Sequence, residues 1–266
     1  MKTIPEITLP SNPSVTIRLR ETTVADAIDF AGVQEGMEEA VTSLFLERLQ
    51  DKATFTDPKK WTGEDRRLAL FWYWMHTTDE FDPALSFECS VCGENHTVAV
   101  DLRQIANNYK VIQGKAERDV EFEDGTVIVR PLSGESLEKI EMVRLELMDA
   151  IKSDGTGTGK AKTLKARISL LKFMHSLEFS EEKGEDDPIA FREKKILAMG
   201  QGAFIELADK VESAISEMEH GLPSLYEKGR IYLLTPSIPC TKTKHEKEVG
   251  TQLRLPFRNS DYIPRI

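Results

Sequence analysis

Only three cysteines, Cys89, Cys92 and Cys240, occur in the 266 residues. So sparse and odd a set disfavours a disulfide framework as the source of stability. Positive charge is also in short supply. Thirty-five Lys and Arg face 45 Asp and Glu, a formal charge of -10, which disfavours a nucleic-acid surface because such surfaces need clustered cations. No stretch approaches the roughly 18 consecutive apolar residues of a membrane-crossing helix. The opening Met1-Lys2-Thr3-Ile4-Pro5-Glu6 lacks the apolar segment of a secretion signal, so an intracellular protein is expected. What is present is 40% hydrophobic and 30% charged residues, ordinary for a soluble chain with room for one large domain or two modest ones.

The pattern along the chain is α+β and helix-rich, with several small antiparallel hairpins. Ile7-Thr8-Leu9, a Pro-Ser-Asn-Pro turn and the alternating Val15-Thr16-Ile17-Arg18 predict a first strand pair. A helix capped by Thr22 or Thr23 follows, with Val24, Ala27, Ile28 and Ala31 as its expected apolar face. Gly32 and Gly36 divide it from a continuation through Phe45 and Leu49. Thr62 and Asp65 form an acidic capping arrangement before a helix whose apolar residues, from Leu68 to Met75, occur on every side. Such a helix is expected at the centre of the core.

Residues 87–102 read as a hairpin with a knuckle at its tip, and residues 109–112 and 118–130 as further strand with a turn at Asp124-Gly125. The second strand pair leads through Ser133 into a long helix, repeating the strand, turn, strand, helix order of the N-terminus. Two helices, from about 137 to 150 and from about 162 to 177, flank a Gly- and Thr-rich loop at 155–160. That loop is not a phosphate-binding P-loop: Asp154 stands where the first Gly is needed, and Ala161 follows Lys160 instead of Ser or Thr. Asp186 or Asp187 with Pro188 starts the next helix over 189–199, and a last one covers 203–218. Residues 230–235 and 251–257 read as strands around a Lys-rich loop. These expectations divide the chain into 1–132, an N-terminal α+β region; 133–222, a helical region; and 223–266, a closing hairpin and tail.

The strongest local signal is Cys89-Ser90-Val91-Cys92-Gly93-Glu94-Asn95-His96. Two thiolates two residues apart can grip one tetrahedral ion from a tight turn, Gly93 permits the bend, and His96 is a candidate third ligand. Cys240 and His245 are the distant candidates for the fourth; either would staple two hairpins through one structural zinc ion. The competing readings are a pair of reduced, metal-free cysteines and a redox pair, although a redox pair normally opens a helix and here another strand is expected. Catalytic zinc lacks a nearby carboxylate with a clear role, Glu88 and Glu94 being expected in solvent. His76, His175 and His220 each fall at a helix end. The cations Lys242, Lys244, Lys247, Arg254, Arg258 and Arg265 read as a solvated loop and tail, or as a docking surface for an acidic protein neighbour.

The order of these motifs resembles the baseplate hub and hub-assembly proteins of contractile-tailed, T4-like bacteriophages. The similarity lies in Leu9-Pro10-Ser11 with Val15-Thr16-Ile17-Arg18, and in the Cys89-x-x-Cys92-Gly93 hairpin with Val98-Ala99-Val100-Asp101-Leu102. It continues in Gly125-Thr126-Val127 to Arg130-Pro131-Leu132, and in the closing stretch with Cys240, Leu255-Pro256-Phe257 and Tyr262-Ile263-Pro264. The family's closing hairpin carries a second Cys-x-x-Cys-Gly; here Cys240-Thr241-Lys242-Thr243 lacks the partner thiol.

The resemblance implies a non-enzymatic structural or chaperone-like assembly protein of a tail baseplate. Its partners would be other phage tail, hub or wedge proteins and further copies of itself as a homo-oligomer, with no membrane and no nucleic acid. It would act in the host cytoplasm during assembly, with retention in the virion left open. The alternatives are a zinc-ribbon regulatory or nucleic-acid-binding protein, which would need a coherent basic face, and a metal-dependent hydrolase, which would need an open coordination position.

Overall fold

The computed structural model describes residues 2–31, 36–79, 82–123, 125–227, 229–240 and 250–264. The expected turn residue Asp124, the divider Gly32, the loop residues Lys242, Lys244, His245 and Lys247, and the tail residue Arg265 lie outside them. The fold is α+β and helix-rich, with small antiparallel sheets.

The first strand pair, β1 (Ile7–Leu9) and β2 (Asn12–Ile17), precedes helices α1 (Val24–Ala31), α2 (Glu38–Leu49) and α3 (Gly63–Thr77). The face expected of α1 is corrected by the structure. Val24 and Ile28 are 73% and 59% exposed, and the buried residues are Asp26, Ala27 and Phe30. The reason is ionic. Arg20 grips Asp26 with two nitrogens at 2.7 and 3.0 Å, Arg48 Nε adds a bond at 3.2 Å, and Thr23 N–H donates at 2.8 Å. Arg20 above all holds the Asp26 carboxyl well below the usual carboxylate range. This network turns the charged residue inward and leaves Val24 and Ile28 outside, while Ala27 of the expected face stays buried.

Helix α3 begins at the Thr62/Asp65 capping box, with Asp65 N–H donating to Thr62 Oγ1 at 3.1 Å and Thr62 N–H to Asp65 at 3.3 Å. Asp65 also accepts Ser11 N–H at 2.9 Å, tying the β1–β2 turn to the helix start. Leu68, Leu70, Phe71 and Tyr73 are enclosed by Phe45, Leu46 and Leu49 of α2 and Ile7, Leu9 and Ile17 of the strand pair. Leu222, Leu233, Phe257 and Ile263 complete this core, so the C-terminal segment closes over the N-terminal one. Helix α2 has no side-chain cap of its own. Instead, Glu141 reaches across from the long helix of residues 134–154 and accepts Glu39 and Ala40 N–H at 2.8 and 3.2 Å.

The hairpin β3 (Ala84–Glu88) and β4 (Asn95–Ala99) is followed by the short helix α4 (Arg103–Asn107), where the sequence pattern predicts strand to residue 102. Asp101 breaks the strand: it accepts Arg103 N–H at 3.0 Å and pairs with the Arg103 guanidinium at 2.7 and 2.9 Å, opening a helical turn that buries Ile105 and Ala106. Residues 109–112 do not form the expected strand. Lys110 and Gly221 exchange single backbone bonds of 2.9 and 2.8 Å, and Ile112 N–H donates to Pro10 O at 3.0 Å.

Strands β5 (Arg118–Phe122) and β6 (Gly125–Val129) lead into the hairpin of α5 (Gly134–Asp154) and α6 (Gly159–His175). Helix α6 ends at His175, two residues before the expected end at about 177, and strand β7 (Leu177–Phe179) follows, antiparallel to β6. Ser176 terminates the helix, and Leu177 and Phe179 then point inward at period two, too short an alternation to separate from a helical pattern. Asp187 caps α7 (Pro188–Ala198) through the N–H groups of Ile189 and Ala190, with Pro188 at its first turn. Helix α8 (Gln201–Glu217) follows. A second core joins Phe122, Val127 and Val129 of the sheet to Met174, Leu207 and Val211 of the helices.

Beyond α8, His220 is buried, with Nδ1 2.7 Å from Met218 O and Nε2 2.7 Å from Thr62 Oγ1, and so links the end of α8 to the cap of α3. Strands β8 (Ser224–Glu227), β9 (Arg230–Leu234), β10 (Ile238–Pro239), β11 (Gly250–Thr251) and β12 (Arg254–Phe257) complete the chain. β12, β9 and β8 form one sheet, and β10 with β11 a separate two-stranded ribbon. Among the described residues no helix is long and apolar enough to cross a membrane.

Candidate metal centre

The β3–β4 register runs from Ala84↔Ala99 to Glu88↔Asn95 and leaves residues 89–94 as the turn. Within it Cys89 N–H donates to Glu94 O at 2.9 Å, and Gly93 N–H returns to Cys89 O at 2.8 Å. Gly93 has φ +72°, while a Cβ there would meet nothing within 4 Å. Glycine is therefore needed for the left-handed backbone and not for space. The fold curls the backbone around the first sulfur. N–H groups of Cys92 and Val91 point at Cys89 Sγ and lower the pKa of that thiol.

The second strand brings His96 back over the turn. Register places it opposite Phe87, whose ring stacks on the imidazole with centroids 6.1 Å apart. His96 Nε2 lies 3.1 Å from Cys92 Sγ. Burial, followed by the neighbouring Cys240 and Cys89 thiols, pushes the Cys92 thiol up to about 11. Crowded thiols that oppose one another's ionisation are relieved by a shared cation.

The remaining donor comes from the far end of the chain. Register in the β10–β11 ribbon pairs Ile238 with Thr251 and Pro239 with Gly250, and Cys240 follows directly. The strands approach closely at Gly250, where a Cβ would stand 2.5 Å from Ile238 O. Thr251 fastens the ribbon to the knuckle: its Oγ1 accepts Ser90 N–H at 2.9 Å, lies 3.0 Å from Ser90 Oγ, and donates to Cys89 Sγ at 3.8 Å.

Cys89, Cys92, His96 and Cys240 thus offer four ligand atoms, all within 4.8 Å of one another. Sulfurs of a tetrahedral zinc site stand roughly 3.8 Å apart, so a small contraction would close the shell. The three-thiol, one-imidazole set is capable of coordinating a metal ion and has the softness and number that zinc favours. The four come from a turn, a strand and a ribbon distant in sequence. His245, the other distant candidate, lies outside the described residues. Glu88 and Glu94 are exposed, as expected. Thr251 and Phe87 support the site without a signal in the sequence; only pairing across the two hairpins places them.

Residues 1–178 match the family model described as T4 bacteriophage base plate protein. No curated protein and no solved structure matches the chain. The match takes in Cys89, Cys92 and His96 and stops before Cys240. The chain belongs to the T4 base plate protein family, whose members are typically non-catalytic structural components, and its role is one of structure and assembly in the phage tail, through contacts with other tail proteins.

Proposed function

We propose that this family member acts in the host cytoplasm during tail assembly, at the hub or its junction with the wedges, as a rigid protein-binding part held in shape by one structural zinc ion. The observation that carries this reading is the family match over residues 1–178. The proposed ligands are Cys89, Cys92, His96 and Cys240, brought together by the β3–β4 turn and the β10–β11 ribbon. Four protein ligands fill a tetrahedral shell, which suits a structural ion and leaves no position for the activated water of a hydrolase. His245 is surplus to that set. A zinc clasp gives a polar hairpin a fixed presentation without an apolar core, the property required of a surface that must meet neighbouring proteins in one orientation. The same logic makes the segments 1–132, 133–222 and 223–266 parts of one working unit, because the clasp joins the first to the last. Contacts with further copies of the chain suit a symmetric particle.

Affinity capture of the tagged full chain from infected cells tests the reading. Recovery of hub or wedge proteins is expected, and recovery of no tail protein would overturn it. Mass spectrometry of mature particles then separates a retained component from a released assembly factor.

A further inference from the structure

A cavity of about 540 Å³ lies where the start of α3, the α5–α6 hairpin, the end of α8 and the β8–β9 sheet meet. Its position is a seam between the two cores: Ile231 packs against the first, Ile215 belongs with the second, and both line the cavity. Leu132, Leu137 and Met218 add apolar wall.

Three carboxylates and three Arg or Lys side chains line it, and they are unevenly paired. Of its carboxylates, Glu39 pairs with Arg66 at 3.2 Å, Glu64 with Arg67 at 2.5 Å, and Glu219 with Lys110 at 2.6 Å. Two cations are left over. Half-buried Arg144 has no ion pair or hydrogen bond among the described residues, and Lys172 reaches only a phenol, donating to Tyr226 Oη at 2.8 Å. Each carboxylate is thus engaged elsewhere, and two cations without a carboxylate partner stand beside an apolar wall.

The same character continues outside the cavity. Lys165, seven residues before Lys172, shares its face of α6 and is exposed without an ion pair among the described residues. Met148, one turn beyond Arg144 on α5, is 50% exposed. Lys165 and Met148 thus carry cationic and apolar character from the cavity onto a track over the helical hairpin.

We propose that this cavity and track receive an acidic, apolar segment of a partner polypeptide, its carboxylates meeting Arg144, Lys172 and Lys165 and its apolar side chains meeting Leu137 and Met218. The inference rests on the assembly role above and gives that role a partner chemistry. Charge complementarity selects the occupant: unpaired cations favour carboxylates, and the apolar wall favours side chains over a bare anion.

The test uses the full zinc-loaded chain and a fluorescein-labelled peptide of alternating glutamate and leucine, followed by anisotropy. Saturable, salt-sensitive binding is expected. Arg144→Glu should weaken it about tenfold or more, whereas Arg167→Glu, an identical charge change on the opposite face of α6, should weaken it less than about twofold. Thermal melts should be unchanged in both, since neither side chain makes a contact the fold needs. Equal loss in the two variants, no binding of the peptide, or equal binding of a single-stranded oligonucleotide would each overturn the proposal. Affinity capture separates its failure from that of the assembly reading. If Arg144→Glu recovers hub and wedge proteins as fully as the unchanged chain, the docking site fails and the assembly role stands. If the peptide binds but no tail protein is recovered, the assembly role fails and the site stands.

Discussion

Around α3, the side chains of Leu68, Leu70, Phe71 and Tyr73 are enclosed by two helices, a strand pair and the C-terminal segment. On β3 and β4, His96 is the one buried residue, and the strands otherwise alternate between exposed and half-buried. The first region is held by removal of apolar surface from water, about 1.5–3 kcal/mol for each large side chain, spread over many partners. The second has almost no such surface, and under the proposed zinc reading its order would depend on a few sulfur and imidazole donors at one point. Distributed apolar packing tolerates the loss of any single polar contact. A clasp of four ligands is all or nothing, and it fixes only what is attached to it.

The comparison can be broken from either side. Phe71→Ala removes a ring that packs on Trp74 and Tyr262; it should cost about 3–5 kcal/mol in urea unfolding. Protein that remains folded should still hold one zinc per chain by elemental analysis.

Cys240→Ser should do the reverse. It should abolish stoichiometric zinc and cost about 3 kcal/mol, the stabilisation of a ligand at about a hundredfold its Kd. A chelator should reproduce that loss in the unchanged chain and add nothing to the variant. Hydrogen exchange should quicken in residues 89–96 and 250–251 while α3 stays protected. Exchange that quickens equally in α3 would show the two regions to be one cooperative unit.

The smallest expected effect tests a polar group placed between packed helices. Burial pushes the Glu141 carboxyl from 4.5 up to about 7, opposed by the N–H bonds from Glu39 and Ala40. The folded chain therefore holds this proton more tightly than the unfolded chain. Its contribution to stability is fully present below about pH 4.5 and is lost as pH rises through about 7. Relative to Glu141→Gln, the unchanged chain should lose about 2–3 kcal/mol across that window. A pH-independent difference between the two would refute the assignment.

Much of the local structure was legible beforehand because its causes are local. Thr62 with Asp65, Asp187 with Pro188, and Cys89-x-x-Cys92-Gly93 each act within a few residues, and each forms what its spacing predicts. The errors have longer reach. Val24 and Ile28 share a helical face, but Arg20 and Arg48 pull Asp26 inward, and periodicity carries no record of an ion pair from another element. Leu177 continues the helical spacing of Phe173 and Met174, and only pairing with β6 makes it part of a strand.

The same division runs through the candidate sites. The sequence alone determined that two cysteines share one tight turn and that an imidazole follows on the returning strand, because the spacing within so short a hairpin keeps all three near its tip. Tertiary structure decided that Cys240 joins them, since the β10–β11 ribbon must first pair and then dock through Thr251. It likewise decided that Arg144 and Lys172, from two different helices, line one cavity without an ion pair to any of its three carboxylates. Short-range steric and hydrogen-bonding preferences are written residue by residue, whereas the meeting of remote side chains depends on how whole elements pack.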